Sequence, residues 1–198
     1  MGLQILDGAG TGQLAHVTGE GQIRVVSEGH SLQHHVSRGF GLSFQVIGSS
    51  THTGGSGSDT YTVLHIQNTS SNLWLVVTYI RVQAILAVTG DENDYFSLGF
   101  GTEYSLGGSD ATPANMNRQS GNAAAATCKQ SLDDDPITVT GTFTEFDRWY
   151  TDGISMTTFN KEGSLILGQN NTLESRITTI QDGTFYTRVT FMYIDPIK

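Results

Sequence analysis

A single cysteine in 198 residues, Cys128, rules out an internal disulfide framework, and with no motif around it the thiol reads as a small packed or exposed residue rather than a nucleophile. Basic residues are scarce too. Ten Lys and Arg stand against 19 Asp and Glu, a formal net charge of −9, so the positive footprint that grips nucleic-acid phosphates is missing and nucleic acid is excluded as a partner. No apolar stretch reaches the ~20 residues of a membrane-spanning helix, and the N-terminus has neither the basic start nor the apolar centre of a secretion signal. The expectation is a protein without a membrane partner, made and folded in a cytoplasm. Prolines number only three against 24 glycines, hydrophobic residues make up a modest 37%, and no segment sustains a helical apolar period.

What the chain does contain is alternation. From Trp74 to Val88, Val76, Thr78, Ile80, Val82, Ala84, Leu86 and Val88 fall on one side of a two-residue period, and Val77, Tyr79, Arg81 and Gln83 on the other. The run before it, from Tyr61, sets Leu64 and Ile66 against Val63, His65 and Gln67 until Asn68-Thr69-Ser70-Ser71-Asn72 breaks the pattern. Together they read as a hairpin with a polar turn, which needs a second sheet to cover its apolar side. Phe40 to Ile47 reads as the first strand of the body, with Phe40, Leu42, Phe44 and Val46 on one face, followed by a flexible Gly/Ser-rich loop over 48–58. Tyr95 to Gly101, Ile137 to Phe143 and a closing meander through Ser164–Gly168, Leu173–Ile180 and Thr184–Ile194 bring the body to about eight or nine strands, the number and spacing of a sandwich. The fold class is therefore all-β, a β-sandwich or jelly roll over residues 43–198.

Residues 1–42 read as an extended Gly-rich N-terminal arm. Gly8, Gly10, Gly12, Gly19 and Gly21 separate apolar pieces too short to bury a core, yet Leu14, Val17, Ile23, Val25 and Val26 return regularly. That recurrence predicts a segment ordered by lying on the body or on a neighbouring subunit rather than a loose terminus. Residues 102–135 are an irregular excursion of the body. An insertion of this length in a compact domain is functional or an interface, and it reads as a subunit-contacting loop.

Candidate chemistry is thin. Gly8, Gly10 and Gly12 have neither the strand and helix of a dinucleotide fingerprint nor the Gly-Lys-Ser/Thr of a Walker loop. All six histidines, His16, His30, His34, His35, His52 and His65, lie in the first third, and His30 with His34 has the spacing of two metal ligands on a helix, but no cysteine or carboxylate completes the set. Asp91, Glu92 and Asp94, like Asp133 to Asp135, read as solvated acidic turns because the spacing of a calcium loop is absent. Glu145 and Asp147 are available to a glycosidase only if the fold sets two carboxyls across a cleft. No serine sits in a nucleophile elbow. The expectation is a protein that is not an enzyme, with no catalytic residue, no metal ligand and no cofactor.

The segment from Leu6 to Glu28, with Asp7-Gly8-Ala9-Gly10-Thr11-Gly12 followed by Ala15 and Val17, a turn, a second short strand and an acidic residue, resembles the opening of a family of tailed-bacteriophage virion proteins. Thr112–Ser120 and Gly163–Leu173 are similar to further segments of that family, so that the likeness covers about a third of the chain. The resemblance implies a virion structural protein, and among virion roles a capsid decoration or cement protein, commonly a homotrimer, localised to the virion. It brings no catalytic residues with it. Its partners would be further copies of itself and the major capsid protein or another virion protein. Contacts would fall to Leu14, Val17, Ile23, Val25 and Val26 of the arm, pairing with a neighbour's sheet edge, and to Pro113, Asn115 and Asn117 of the excursion. The rival reading is a tail, baseplate or fibre component with a receptor- or carbohydrate-binding module, for which Trp74, Trp149 and Tyr150 are the available aromatics.

Overall fold

The computed structural model describes residues 16–17, 23–24, 41–53, 59–86, 94–132, 135–151 and 156–195. Among them every regular element is a strand. Chain contacts divide the molecule into two units, residues 1–31 and 32–198. In the first, β1 (His16–Val17) and β2 (Ile23–Arg24) form an antiparallel pair, with Val17 opposite Ile23. Of the rest of the expected arm only Gly41 and Leu42, which lead into β3, are among the described residues.

The second unit has eight long strands and three short ones. The first four are β3 (Ser43–His52), β4 (Asp59–Asn68), β5 (Trp74–Leu86) and β6 (Tyr95–Leu106). The short β7 (Ser109–Asp110), β8 (Ala114–Asn115) and β9 (Ala126–Gln130) follow, and then β10 (Thr138–Tyr150), β11 (Met156–Leu167), β12 (Thr172–Thr179) and β13 (Gly183–Ile194). They build a six-stranded sheet in the order β10-β6-β12-β4-β9-β7 and a five-stranded sheet in the order β11-β5-β13-β3-β8, every pairing antiparallel. Among the long strands the pairing is nested. The first pairs with the last (β3 with β13), the second with the seventh (β4 with β12), the third with the sixth (β5 with β11) and the fourth with the fifth (β6 with β10). That is the connectivity of one long hairpin rolled into two layers, a jelly roll.

The core lies between the layers. Phe44, Phe191 and Tyr193 of the five-stranded sheet contact one another with ring centroids 5.8 Å apart, and Phe185 meets Phe96 of the other sheet edge-on. Leu64, Ile66, Leu98 and Ile177 face them from the six-stranded sheet, all wholly buried. Each such side chain contributes about 1.5–3 kcal/mol by leaving water.

Several expectations change. Tyr61 to Val88 is not a hairpin, because β4 and β5 belong to opposite sheets. The polar turn between them is a crossover held by the buried Asn68, whose amide donates to the carbonyls of Leu73 (3.0 Å) and Leu167 (2.9 Å) and whose oxygen accepts from the Ser70 amide. The closing meander is likewise split, with β12 in one layer and β11 and β13 in the other. Alternation reports which face of a strand is buried, not which strand lies beside it. The alternation itself slips at Thr78, where Tyr79 pairs with Thr190 but Val77 with Phe191. This bulge reverses the parity, so Val77 joins the core while Val76 packs outside it against Met192. Finally, β3 runs on to His52 because Gly48 to His52 ladder with β13, and backbone pairing suffices where side chains are small.

Residues 102–135 are also more ordered than expected. β6 and β10 pair along most of their length, and at the middle of the ribbon the register shifts beside Gly101 and Gly141, which stand at φ of 88° and 89°, Gly141 opposite Thr102. A Cβ at Gly101 would meet the Thr142 carbonyl oxygen at 2.7 Å, and one at Gly141 the Gly101 oxygen at 2.6 Å, so the kink requires glycine twice. Beyond it, Thr102–Leu106 and Thr138–Gly141 lie over the outer face of the six-stranded sheet, with Thr102 bonded to β12 and β4. The chain then adds β9 to the edge of β4 and β8 to the edge of β3. The excursion thereby covers one open edge of each layer, where unpaired backbone groups would otherwise recruit foreign strands. On the opposite side of the sandwich, the irregular edge strands β10 and β11 are joined by side chains, Lys161 Nζ lying 2.8 Å from Asp147 and Trp149 stacking on Phe159 at 3.8 Å.

Candidate functional site

Under the ribbon lies a polar cluster closed to solvent. Glu174 on β12 is wholly buried, yet its carboxylate accepts four hydrogen bonds: from the Thr62 and Thr102 hydroxyls and, bidentate, from Arg176 at 2.7 and 3.1 Å. A buried charge is tolerable only when paired and saturated in this way. The Arg176 guanidinium lies 3.8 Å above the Phe143 ring, and Phe143 in turn fills the space over Gly99, where a Cβ would meet it at 2.4 Å. His65, also fully buried, sits 3.2 Å from the Thr102 carbonyl, so its Nε2 donates and its Nδ1 is a bare acceptor with no partner. Burial holds this imidazole below the ordinary histidine value of 6.5. Apart from His65 Nδ1, the polar groups here are occupied by the fold, and the cluster clamps the ribbon to the sheet. The sequence held one signal for it, Glu-x-Arg inside an otherwise uncharged, Thr-rich strand, which places opposite charges on one face.

The contact residues read from the sequence are dispersed. Leu14, Val25 and Val26 lie outside the described residues, while Val17 and Ile23 oppose each other in the β1–β2 pair. Pro113, Asn115 and Asn117 sit together beside β3. Asn115 donates to the carbonyls of Gly41 (2.8 Å) and Asn122 (3.0 Å) and accepts from the Asn117 amide (2.9 Å), while Asn117 accepts from the Gln119 amide (3.1 Å). Both asparagines organise the loop that covers the β3 edge, and Met116 and Arg118 between and after them are exposed.

Other candidates are placed as follows. Cys128 is buried in the core and its thiol is pushed up to about 12, far from a reactive thiolate. Glu145 holds Arg148 at 2.8 and 3.0 Å, and Asp147 holds Lys161. His52 stacks on Tyr61, ring centroids 4.0 Å apart. Among the described residues no three of His, Cys, Asp and Glu gather as metal ligands, and His30, His34 and His35 lie outside them. Of the aromatics, Trp149 is stacked on Phe159, Trp74 is partly exposed, and Tyr150 is 65% exposed with its ring 5.7 Å from that of Tyr95.

The outer face of the five-stranded sheet is built differently. Strand register sets its side chains in transverse rows, and in one of them Thr158, Arg81, Arg188 and Ile47 lie side by side across β11, β5, β13 and β3. Arg81 and Arg188 are thus direct cross-strand neighbours, a like-charge pairing that destabilises a sheet. Among the described residues neither has a carboxylate within 4 Å, and the buried Nε of Arg81 has no hydrogen-bond partner. The Thr158 hydroxyl and the charges of Arg81 and Arg188 hold the Tyr79 phenol below its ordinary value. Around the arginines, Ile47, Gln83, Ile85 and Tyr186 complete a shallow depression of about 360 Å³. Ile47 and Ile85 are 42% and 51% exposed. The chemistry on offer is two guanidiniums with an apolar rim, suited to carboxylates carried on a surface. The sequence signal was a lone arginine inside each of two strongly apolar strands. No protein-family model, no curated protein and no solved structure matches this chain.

Proposed function

We propose that this protein is a structural component of a tailed-bacteriophage virion, a capsid decoration or cement protein that assembles as a trimer and bridges subunits of the head shell. The observation that carries the reading is the nested jelly-roll pairing, an architecture shared by capsid proteins, lectins and cupins. Fold alone does not choose among these, so the use of polar groups has to. Glu174 is sealed beneath the ribbon, and Glu145 and Asp147 are committed to ion pairs, which leaves little for chemistry. Arg81 and Arg188, without a carboxylate partner among the described residues, stand on a broad sheet face instead. The likeness of Leu6–Glu28 to virion proteins points the same way. A ligand that binds the assembled shell and not its separated subunits raises shell stability by mass action, with the major capsid protein as partner. The test is to mix the purified protein with emptied shells and follow co-sedimentation and the shell dissociation temperature, with light scattering for oligomeric state. Saturable binding and a higher dissociation temperature are expected. A monomer that stays in the supernatant overturns the reading.

A second reading, a tail, baseplate or fibre component that binds a carbohydrate receptor, is favoured by one feature. A hollow of about 480 Å³ is lined by Phe100, Glu103, Asn170 and Asn171, and Phe100 is stacked on Phe146 at 4.5 Å. Amide and carboxylate groups beside an aromatic ring suit a sugar. Glycan-array binding that disappears in the Asn170→Ala/Asn171→Ala variant would establish this reading, and an array without a hit would dismiss it.

A further inference from the structure

Charge is divided unevenly between the two layers. The strands of the six-stranded sheet carry six acidic and three basic residues, and those of the five-stranded sheet one acidic and three basic. A chain with a net charge of −9 therefore presents a face where two arginines stand together without a carboxylate among the described residues, while the ribbon on the other layer and the loop that closes it carry exposed acids, Glu103 and Asp135. Neither acid forms an ion pair among the described residues. One molecule thus holds both halves of a complementary contact on different surfaces.

We infer that the outer face of the five-stranded sheet docks on the ribbon side of a second copy of this chain, with Arg81 and Arg188 of one copy receiving carboxylates of the ribbon region of the next. Three observations support a copy of this chain as the occupant. No carboxylate among the described residues relieves the like-charge neighbours Arg81 and Arg188, and an anion from a partner would. The partly exposed guanidinium of Arg81 supplies donors for it. The chain's own surface carries exposed carboxylates, Glu103 and Asp135 among them, whereas two sheet faces meeting bring arginine against arginine and two ribbon sides bring acid against acid, so charge favours the head-to-tail arrangement. The exposed Ile47 and Ile85 lose water in the same contact. Because the two surfaces differ, the contact is heterologous, and repeated around an axis it closes a ring.

This inference rests on the reading of the protein as an assembling unit, and the experiment separates the two. Sedimentation velocity of the full chain at low ionic strength compares the wild type with Arg81→Glu/Arg188→Glu, with Glu103→Arg/Asp135→Arg and with the variant carrying all four changes. Each double reversal is expected to weaken self-association by about 10-fold or more through like-charge juxtaposition, and the fourfold variant, or an equimolar mixture of the two doubles, to recover it. Recovery also shows that each double variant is folded. Self-association that ignores both reversals overturns this interface and leaves the assembly reading standing. A wild type that neither self-associates nor binds emptied shells overturns both.

Discussion

On the six-stranded sheet a wholly buried carboxylate accepts four hydrogen bonds under a folded-over ribbon, whereas on the five-stranded sheet two guanidiniums sit side by side with no carboxylate near them among the described residues. Both arrangements place charge on the outside of a β-layer, yet one is spent inside the molecule and the other is left open. The difference lies in what covers each face. The Gly101–Gly141 kink turns the β6–β10 ribbon over one layer, which makes charge there a structural clamp. The other layer has no such cover among the described residues, and there the charge stays without a carboxylate partner.

Removing the clamp is expected to have the largest effect. Glu174→Ala leaves Arg176, Thr62 and Thr102 without their acceptor, and should cost about 3–5 kcal/mol in chemical denaturation, since breaking a buried ion pair strands the remaining charge. A loss below about 1 kcal/mol would mean that the ribbon is held by something other than this cluster. Next comes the kink. Gly141→Ala forces a side chain into the left-handed region against a carbonyl oxygen at 2.6 Å, and should destabilise by roughly 1–3 kcal/mol in the same assay.

A smaller effect is expected from pH. His65 is neutral in the fold, facing Glu174 and Arg176 of β12 and the Thr102 carbonyl of β6, with its folded value below the unfolded 6.5. The unfolded chain therefore binds the proton more readily, so this stability is fully present above pH 6.5 and is lost as pH falls below it. Denaturation midpoints measured from neutral to mildly acid pH should decline, and the decline should flatten in His65→Gln; an unchanged slope in that variant would remove His65 from the account. The smallest change is the most telling for the comparison. Arg188→Thr should leave the isolated chain unchanged or more stable by about 0.2–1 kcal/mol, because it removes a like-charge neighbour from a β-ladder. Marked destabilisation by Arg188→Thr would mean that the two layers use charge alike.

Much of the layer structure was legible from the residues. Phe44 and Val46, Leu64 and Ile66, and Phe185, Val189 and Phe191 are inward in the fold as alternation requires. The clamp was not legible, because Glu174, Thr62, Thr102 and Arg176 are polar residues on the outward side of their strands, where a sequence reading expects water. What dried that surface is a segment more than 30 residues long that read as irregular. Nor could the two arginines be seen as neighbours, since residues 81 and 188 meet only through strand register.

Composition and alternation by themselves determined that this chain is all-β, that it layers apolar faces against each other and that it carries excess negative charge. These are properties of single strands and of the whole, set by side-chain period and residue counts. Only the tertiary structure decided that β4 and β5 part company, that a double-glycine kink buries an acid, and that positive charge gathers on one face. Those outcomes depend on which strand lies beside which, and hydrogen-bonded pairing between segments a hundred residues apart leaves no mark on either segment alone.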